Sequence, residues 1–291
     1  VKLSRFARSI MRTTHSRGIS AGSPWGTPSL EVNEVQIAGY ESNIRLRLYR
    51  RAEVRSLPVM LYFHGGAFTS GSLDDAEFAA RYFAEHLSVL VVSVGYSLAP
   101  KHPFPAALED AYRAAKWVEG AGKTIGGDGK RLLVAGHCAG GHIANGLAFV
   151  ARDRGEVGIA AQALFSPMLD PSMTCLADER AVESDITPRQ CLASYRAYLP
   201  QASQRMHPYA APLESARLAG LPPTFIATAR NDVLHVEAET YAGRLIGAGV
   251  PTQVMRYSAA THERIAYDPQ ALQDAARFFE RHLEPRAVTV G

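Results

Sequence analysis

The chain has 291 residues, 47% hydrophobic and 20% charged, enough for one large domain with a sizeable core or a domain carrying an insertion. Its net charge is +3, and the 31 basic side chains are scattered and not gathered into a run that tracks phosphates, which argues against a nucleic-acid partner. Three widely spaced cysteines, Cys138, Cys175 and Cys191, suggest neither a disulfide framework nor a zinc site, so a reducing, cytoplasmic setting is expected.

The first twenty residues hold Lys2, Arg5, Arg8, Arg12 and Arg17 and no acidic side chain. They lack the apolar segment of a secretory signal. Phe6, Ile10 and Met11 would give a helix one apolar face, so residues 1–30 read as an N-terminal cap segment over the body. Runs at 34–38 and 44–49, separated by Gly39-Tyr40-Glu41-Ser42-Asn43, predict an antiparallel pair at a sheet edge. Short β-rich runs follow at 59–63, 87–94, 132–135, 161–165, 224–227 and 253–257. Helical patterns at 76–86, 106–120, 140–152, 235–248 and 269–282 each follow one of these strands. The alternation predicts a mostly parallel sheet covered on both faces.

Residues 170–221 break the rhythm, being polar, rich in Arg, Ser, Ala and Pro, and without a convincing strand. They read as a helical cap insertion, leaving 31–169 and 222–291 as the core. Following a strand end, the insertion would lie over the carboxyl edge of the sheet, where open α/β folds hold their ligands. No apolar run reaches the roughly 18 to 20 residues needed to cross a bilayer, so no membrane span is expected.

The chemistry concentrates in Gly136-His137-Cys138-Ala139-Gly140-Gly141, which follows the strand run at 132–135 and opens a helix. This is the G-x-Nuc-x-G elbow, whose central residue occupies a strained turn with no room for side chains two positions either side. Cys138 is thereby lifted above the sheet, and the Ala139 N–H stands at a helix start that favours a developing oxyanion. The alternative for Cys138 is a buried, inert small hydrophobe. A second segment, His64-Gly65-Gly66-Ala67-Phe68, follows the run at 59–63 and offers the N–H groups of Gly65 and Gly66 as the other half of an oxyanion hole. Taken by itself, its alternative is an ordinary glycine turn, the weaker of the two readings. A carboxylate and then a histidine should follow the nucleophile in chain order. Asp232, after the run at 224–227, and His262, after the run at 253–257, occupy those places.

These motifs, together with Gly95-Tyr96-Ser97-Leu98-Ala99-Pro100 and the stretch to Asp110, resemble the hormone-sensitive-lipase-like α/β-hydrolases, the bacterial family IV esterases, over roughly residues 30–285. The resemblance implies an α/β-hydrolase fold, a mostly parallel eight-stranded sheet flanked by helices with a helical cap. It also implies carboxylesterase activity on small to medium acyl esters without metal or organic cofactor. A homodimer through a sheet edge is compatible with it.

Four departures from the family pattern stand out, since it has serine at 138, an acidic residue at 137, arginine and glutamate at 97 and 101, and His-Gly-Phe at 262–264. Ser97 and Lys101 differ together, so a charge pair common in relatives is expected to be missing. His137 either lowers the thiol pKa or joins a supporting hydrogen-bond network, the latter being preferred. A thiol titrates near ~8.5 and falls to roughly 3.5–7.5 beside a histidine or at a helix N-terminus, which makes Cys138 a workable nucleophile. The expected reaction is ester hydrolysis through a thioester on Cys138, with His262 as base and Asp232 as orienting acid.

Two other hydrolase readings compete. Cysteine in the elbow resembles the dienelactone-hydrolase-like lactonases, and Gly136-His137-Cys138-Ala139-Gly140-Gly141-His142 resembles the arylformamidases. A reading from another class is a non-catalytic small-molecule receptor, since gibberellin receptors resemble this family without its catalytic histidine, and His262 argues against it.

Overall fold

The computed structural model describes residues 30–51 and 56–283. The expected N-terminal cap helix, with its apolar face of Phe6, Ile10 and Met11, lies outside the described residues.

Eight strands form one sheet in the order β1-β2-β4-β3-β5-β6-β7-β8. They are β1 (Leu30–Ala38), β2 (Asn43–Arg51), β3 (Leu57–Phe63), β4 (Leu90–Gly95), β5 (Gly127–His137), β6 (Ile159–Phe165), β7 (Thr224–Asn231) and β8 (Thr252–Thr261). The first two pair antiparallel and β2 meets β4 antiparallel, while every neighbour from β4 onward runs parallel. The hairpin expected at 34–49 is therefore a sheet edge.

The central strand β3, Leu-Pro-Val-Met-Leu-Tyr-Phe, is buried along its whole length, as a strand covered on both faces must be. Val59, Leu61 and Phe63 pack into one core layer with helices α2 (Ala106–Ala121), α3 (Ala139–Arg154) and α5 (His235–Gly247). Met60 and Tyr62 face the other, beneath α1 (Glu77–His86) and α6 (Pro269–Leu283). The two-residue period of the strand distributes its apolar side chains between these layers. The run at 87–94 starts as strand only at Leu90, because Leu87 caps α1, its N–H donating to the Phe83 carbonyl.

α3 carries the site forward from β5. Its residues from Ala139 to Ala151 are all buried, and its glycines let it lie close to the sheet. A Cβ on Gly140 would stand 2.1 Å from the Phe63 carbonyl oxygen, an impossible approach, so glycine here sets the depth at which the elbow sits.

Between β6 and β7 the chain holds no strand. It contains α4 (Pro188–Tyr198), which starts with a full capping box: the Thr187 side chain accepts from the Gln190 N–H, the Gln190 side chain accepts from the Thr187 N–H, and Pro188 occupies the first turn. Two short 3-10 turns, Ala202–Met206 and Pro212–Glu214, return the chain to β7. No described helix is long and apolar enough to cross a membrane.

Candidate active site

Cys138 follows the last residue of β5 and precedes the first residue of α3, with φ 56° and ψ −119°. A non-glycine residue pays for this left-handed geometry with about 1–2 kcal/mol, and the surroundings hold it there. Its N–H donates to the Phe165 carbonyl at 2.9 Å, and its carbonyl accepts from the N–H groups of His142 and Met168 at 3.1 and 3.3 Å. The side chain is 5% exposed.

Strands β7 and β8 end in register, Asn231 opposite Thr261. The next residue of each is Asp232 and His262, so the parallel pairing delivers carboxylate and imidazole side by side. His262 Nδ1 lies 3.0 Å from Asp232 Oδ2, and the other carboxylate oxygen accepts from the Leu234 N–H at 2.9 Å. Both side chains are buried. The second ring nitrogen of His262, Nε2, is buried without a protein hydrogen-bond partner and is left for the thiol and for substrate.

Burial by itself would raise the Cys138 pKa, but the His262 charge and proton, with the N–H groups of Ala67 and Ala139 aimed at the sulfur, outweigh it and pull the thiol below its ordinary range. Burial would lower the His262 pKa, yet the charges of Asp232 and Cys138 push it well above the usual histidine value. Asp232 is likewise lowered against its own burial by His262, the Leu234 N–H and the Ser166 hydroxyl. The three groups favour a thiolate, an imidazolium and a carboxylate in line.

A family model described as an alpha/beta hydrolase fold matches residues 60–266. The chain belongs to the α/β-hydrolase family. Esterase LipI of Mycobacterium tuberculosis is 37% identical over 247 residues, covering 82% of this chain and 77% of that protein. Carboxylesterase NlhH of the same organism is 37% identical over 243 residues, covering 81% of this chain and 76% of its own. Among solved structures, a hyperthermophilic esterase from Pyrobaculum calidifontis superposes with a TM-score of 0.81 at 34% identity, covering 86% of this chain and 85% of that one. These relatives support the hormone-sensitive-lipase-like branch for this α/β-hydrolase.

Of the predicted site residues, Cys138, Ala139, Asp232 and His262 come together. Gly65 is also adjacent, since a Cβ on it would stand 3.5 Å from the Cys138 Cβ. Gly66 shapes the turn: its φ is +115°, a Cβ there would meet the Ser70 carbonyl oxygen at 2.2 Å, and its own carbonyl accepts from the N–H groups of Thr69 and Ser70. Among the described residues, the N–H groups of Gly65, Gly66 and Ala67 donate to no protein backbone acceptor. The amide of this segment that reaches the sulfur is that of Ala67, which sequence reasoning missed. Ala67 and Phe68 both have positive φ, 48° and 66°, and no residue-type signal announces that in an Ala-Phe pair.

His137 is partly buried and its Nε2 donates to the His262 carbonyl at 2.8 Å. Burial, reinforced by the neighbouring His262 charge, pushes its pKa down to about 4, so it is neutral at neutral pH and serves the hydrogen-bond network, not the thiol. At the departure near residue 97, the Ser97 N–H donates to Asp110 Oδ2 at 2.9 Å, and Lys101 joins no ion pair among the described residues. Ser166 was also missed; it follows β6 with φ 41° and sets its hydroxyl beside Asp232.

Phe68, next to Ala67, belongs to the same buried core cluster as Cys138 and gathers aromatic rings around it. Phe68 stacks on Tyr198 of α4 with ring centroids 4.0 Å apart, and meets Tyr195 at 5.6 Å and the edge of His142 at 5.1 Å.

Proposed function

We propose that this α/β-hydrolase cleaves carboxylic esters of small to medium acyl groups through a thioester on Cys138. Carboxylesterase-type hydrolysis is what its esterase and carboxylesterase relatives support. The observation that carries the covalent mechanism is the buried Asp232–His262 pair, whose unpaired Nε2 adjoins a thiol standing on a strained elbow.

The thiolate sulfur bonds to the carbonyl carbon, and the π electrons move to the oxygen, which accepts from Ala139 and from the amides of Gly65, Gly66 and Ala67. Collapse breaks the ester C–O bond, and the departing alcohol takes its proton from His262 Nε2. Neutral His262 then removes a proton from water, whose oxygen attacks the thioester. The carboxylic acid leaves, and Cys138 returns as thiolate beside protonated His262. Asp232 holds the ring in the useful tautomer and stabilises its charge. Losing one oxyanion donor typically costs on the order of 10²–10³ in rate.

Residues 170–221 act as the cap in this reading, with Tyr195 and Tyr198 closing over Phe68. A cytoplasmic setting accords with three free cysteines.

Mass spectrometry after brief exposure to p-nitrophenyl esters of graded length tests the proposal. An acyl adduct on the Cys138 peptide, labile to neutral hydroxylamine, is expected. Turnover with the acyl group on another residue would sink it. Comparing p-nitrophenyl acetate, dienelactone and N-formylkynurenine separates esterase from lactonase and formamidase, and binding without turnover of any ester marks a receptor.

A further inference from the structure

The peptide unit joining His262 to Glu263 is held at both of its polar ends by residues from different parts of the chain. Its carbonyl accepts from His137 Nε2 at 2.8 Å, and its N–H donates to Asp185, 3.1 Å from Oδ2 and 3.3 Å from Oδ1. His137 belongs to the elbow, whereas Asp185 belongs to the segment between β6 and β7. The same segment grips the residue after Asp232: the Val233 N–H donates to Ser184 Oγ at 3.3 Å, and the Val233 carbonyl accepts from the Ala177 N–H at 2.9 Å.

We infer that His137 and Asp185 are positioning residues that hold the His262–Glu263 peptide from opposite sides, so that the 177–185 stretch sets the alignment of the imidazole. This rests on the reading of His262 as the base. A peptide plane fixed at one end still swings about that bond; fixed at both, it presents the ring to Asp232 and Cys138 in one orientation. The His137 ring is itself located by Gly65, where a Cβ would stand 2.6 Å from its Nδ1. The elbow, the glycine turn and the insertion thus converge on one peptide. Ser184 and Asp185, adjacent in the chain, thereby tie the loops of both Asp232 and His262 to the same short stretch.

Asp185 is exposed, so Asp185→Ala leaves the core intact. One such hydrogen bond corresponds to about a three- to tenfold fall in kcat, and because the bond acts on alignment, KM should stay within about twofold. The pH profile of Cys138 alkylation by iodoacetamide is expected to move upward, since a displaced imidazolium lowers the thiol pKa less. Asp185→Asn keeps an acceptor oxygen and should recover most of the lost kcat. Unchanged kcat and alkylation profile in Asp185→Ala, or an Asn variant as impaired as the Ala variant, overturns the inference. His262→Ala separates the two levels: retained activity there refutes the base itself, whereas an inactive His262→Ala leaves the Asp185 results to judge the grip alone.

Discussion

His262 Nδ1 and Asp232 Oδ2 stand 3.0 Å apart, with the histidine side chain 2% exposed and the aspartate fully buried. In such low-dielectric surroundings each charge depends on the other, because removing one partner leaves the second unpaired and poorly solvated.

Asp232→Asn keeps the shape and removes the charge. His262 then loses the main force holding it protonated, and the amide NH₂ disfavours the tautomer with Nδ1–H. We expect kcat/KM on p-nitrophenyl acetate to fall on the order of 10³–10⁴, with slower alkylation of Cys138 at neutral pH. Steady-state kinetics and iodoacetamide labelling measure both; a variant within tenfold of the parent would contradict the role given to Asp232.

Sulfur also dictates which esters turn over well. In the tetrahedral intermediate a thiolate is a far better leaving group than an alkoxide, so attack on an alkyl ester tends to revert, while an aryl oxide competes successfully. The ratio of p-nitrophenyl acetate to ethyl acetate hydrolysis should therefore shrink by at least about tenfold in Cys138→Ser, whose oxygen does not leave so readily. An unchanged ratio argues that acyl transfer to residue 138 is not what limits the reaction.

Acid should unfold the protein from a direction set by its buried histidines. His137 and His142 have pKa values pushed down to about 4, by burial in both cases, and His64 is lowered by burial too. Each titrates near 6.5 when unfolded, so between those values the unfolded chain binds more protons and stability rises with pH. Their contribution is complete above about 6.5 and drains away as pH falls toward 4. His262, shifted upward, contributes fully below its unfolded value and loses that only as pH rises through its folded value, so it does not cancel the slope. Asp232, shifted downward, is lost only below its ordinary value of 3.8. Tm should drop between about pH 7 and about pH 4.5, less steeply in His142→Asn. Glu237, shifted upward by burial, opposes the histidines over this range, so the decisive comparison is between variants: a Tm that falls as steeply in His142→Asn as in the parent would show that this ring is not held neutral.

The eight strands and the five helices outside the insertion are readable because each is a local pattern. A run such as Val59 to Phe63 is apolar at every position, and Phe278 and Phe279 fall on the buried face of a helix by periodicity within a few turns. Cys138 is readable for the same reason, since Gly136 and Gly140 lie within the turn they permit. Asp232 and His262 were reachable through chain order and their closeness to strand ends. Within 170–221 the sequence shows composition and no periodicity, so it does not locate α4 at Pro188–Tyr198; the helix is defined by the capping box of Thr187 and Gln190 and by the packing of Tyr195 and Tyr198 on Phe68.

From its sequence alone this protein has a strand, an elbow, a helix and a set of reactive residue types in a workable order, because nearest neighbours on the chain suffice to produce them. Folding decides the rest: that Asn231 pairs with Thr261 and so brings carboxylate to imidazole, that Ala67 turns its amide to the sulfur, and that His137 and Asp185, 125 and 78 residues away from their partners, meet one peptide. Those contacts depend on strand register and loop path, which arise from packing energies summed over the whole sheet and leave no mark in any short stretch of residues.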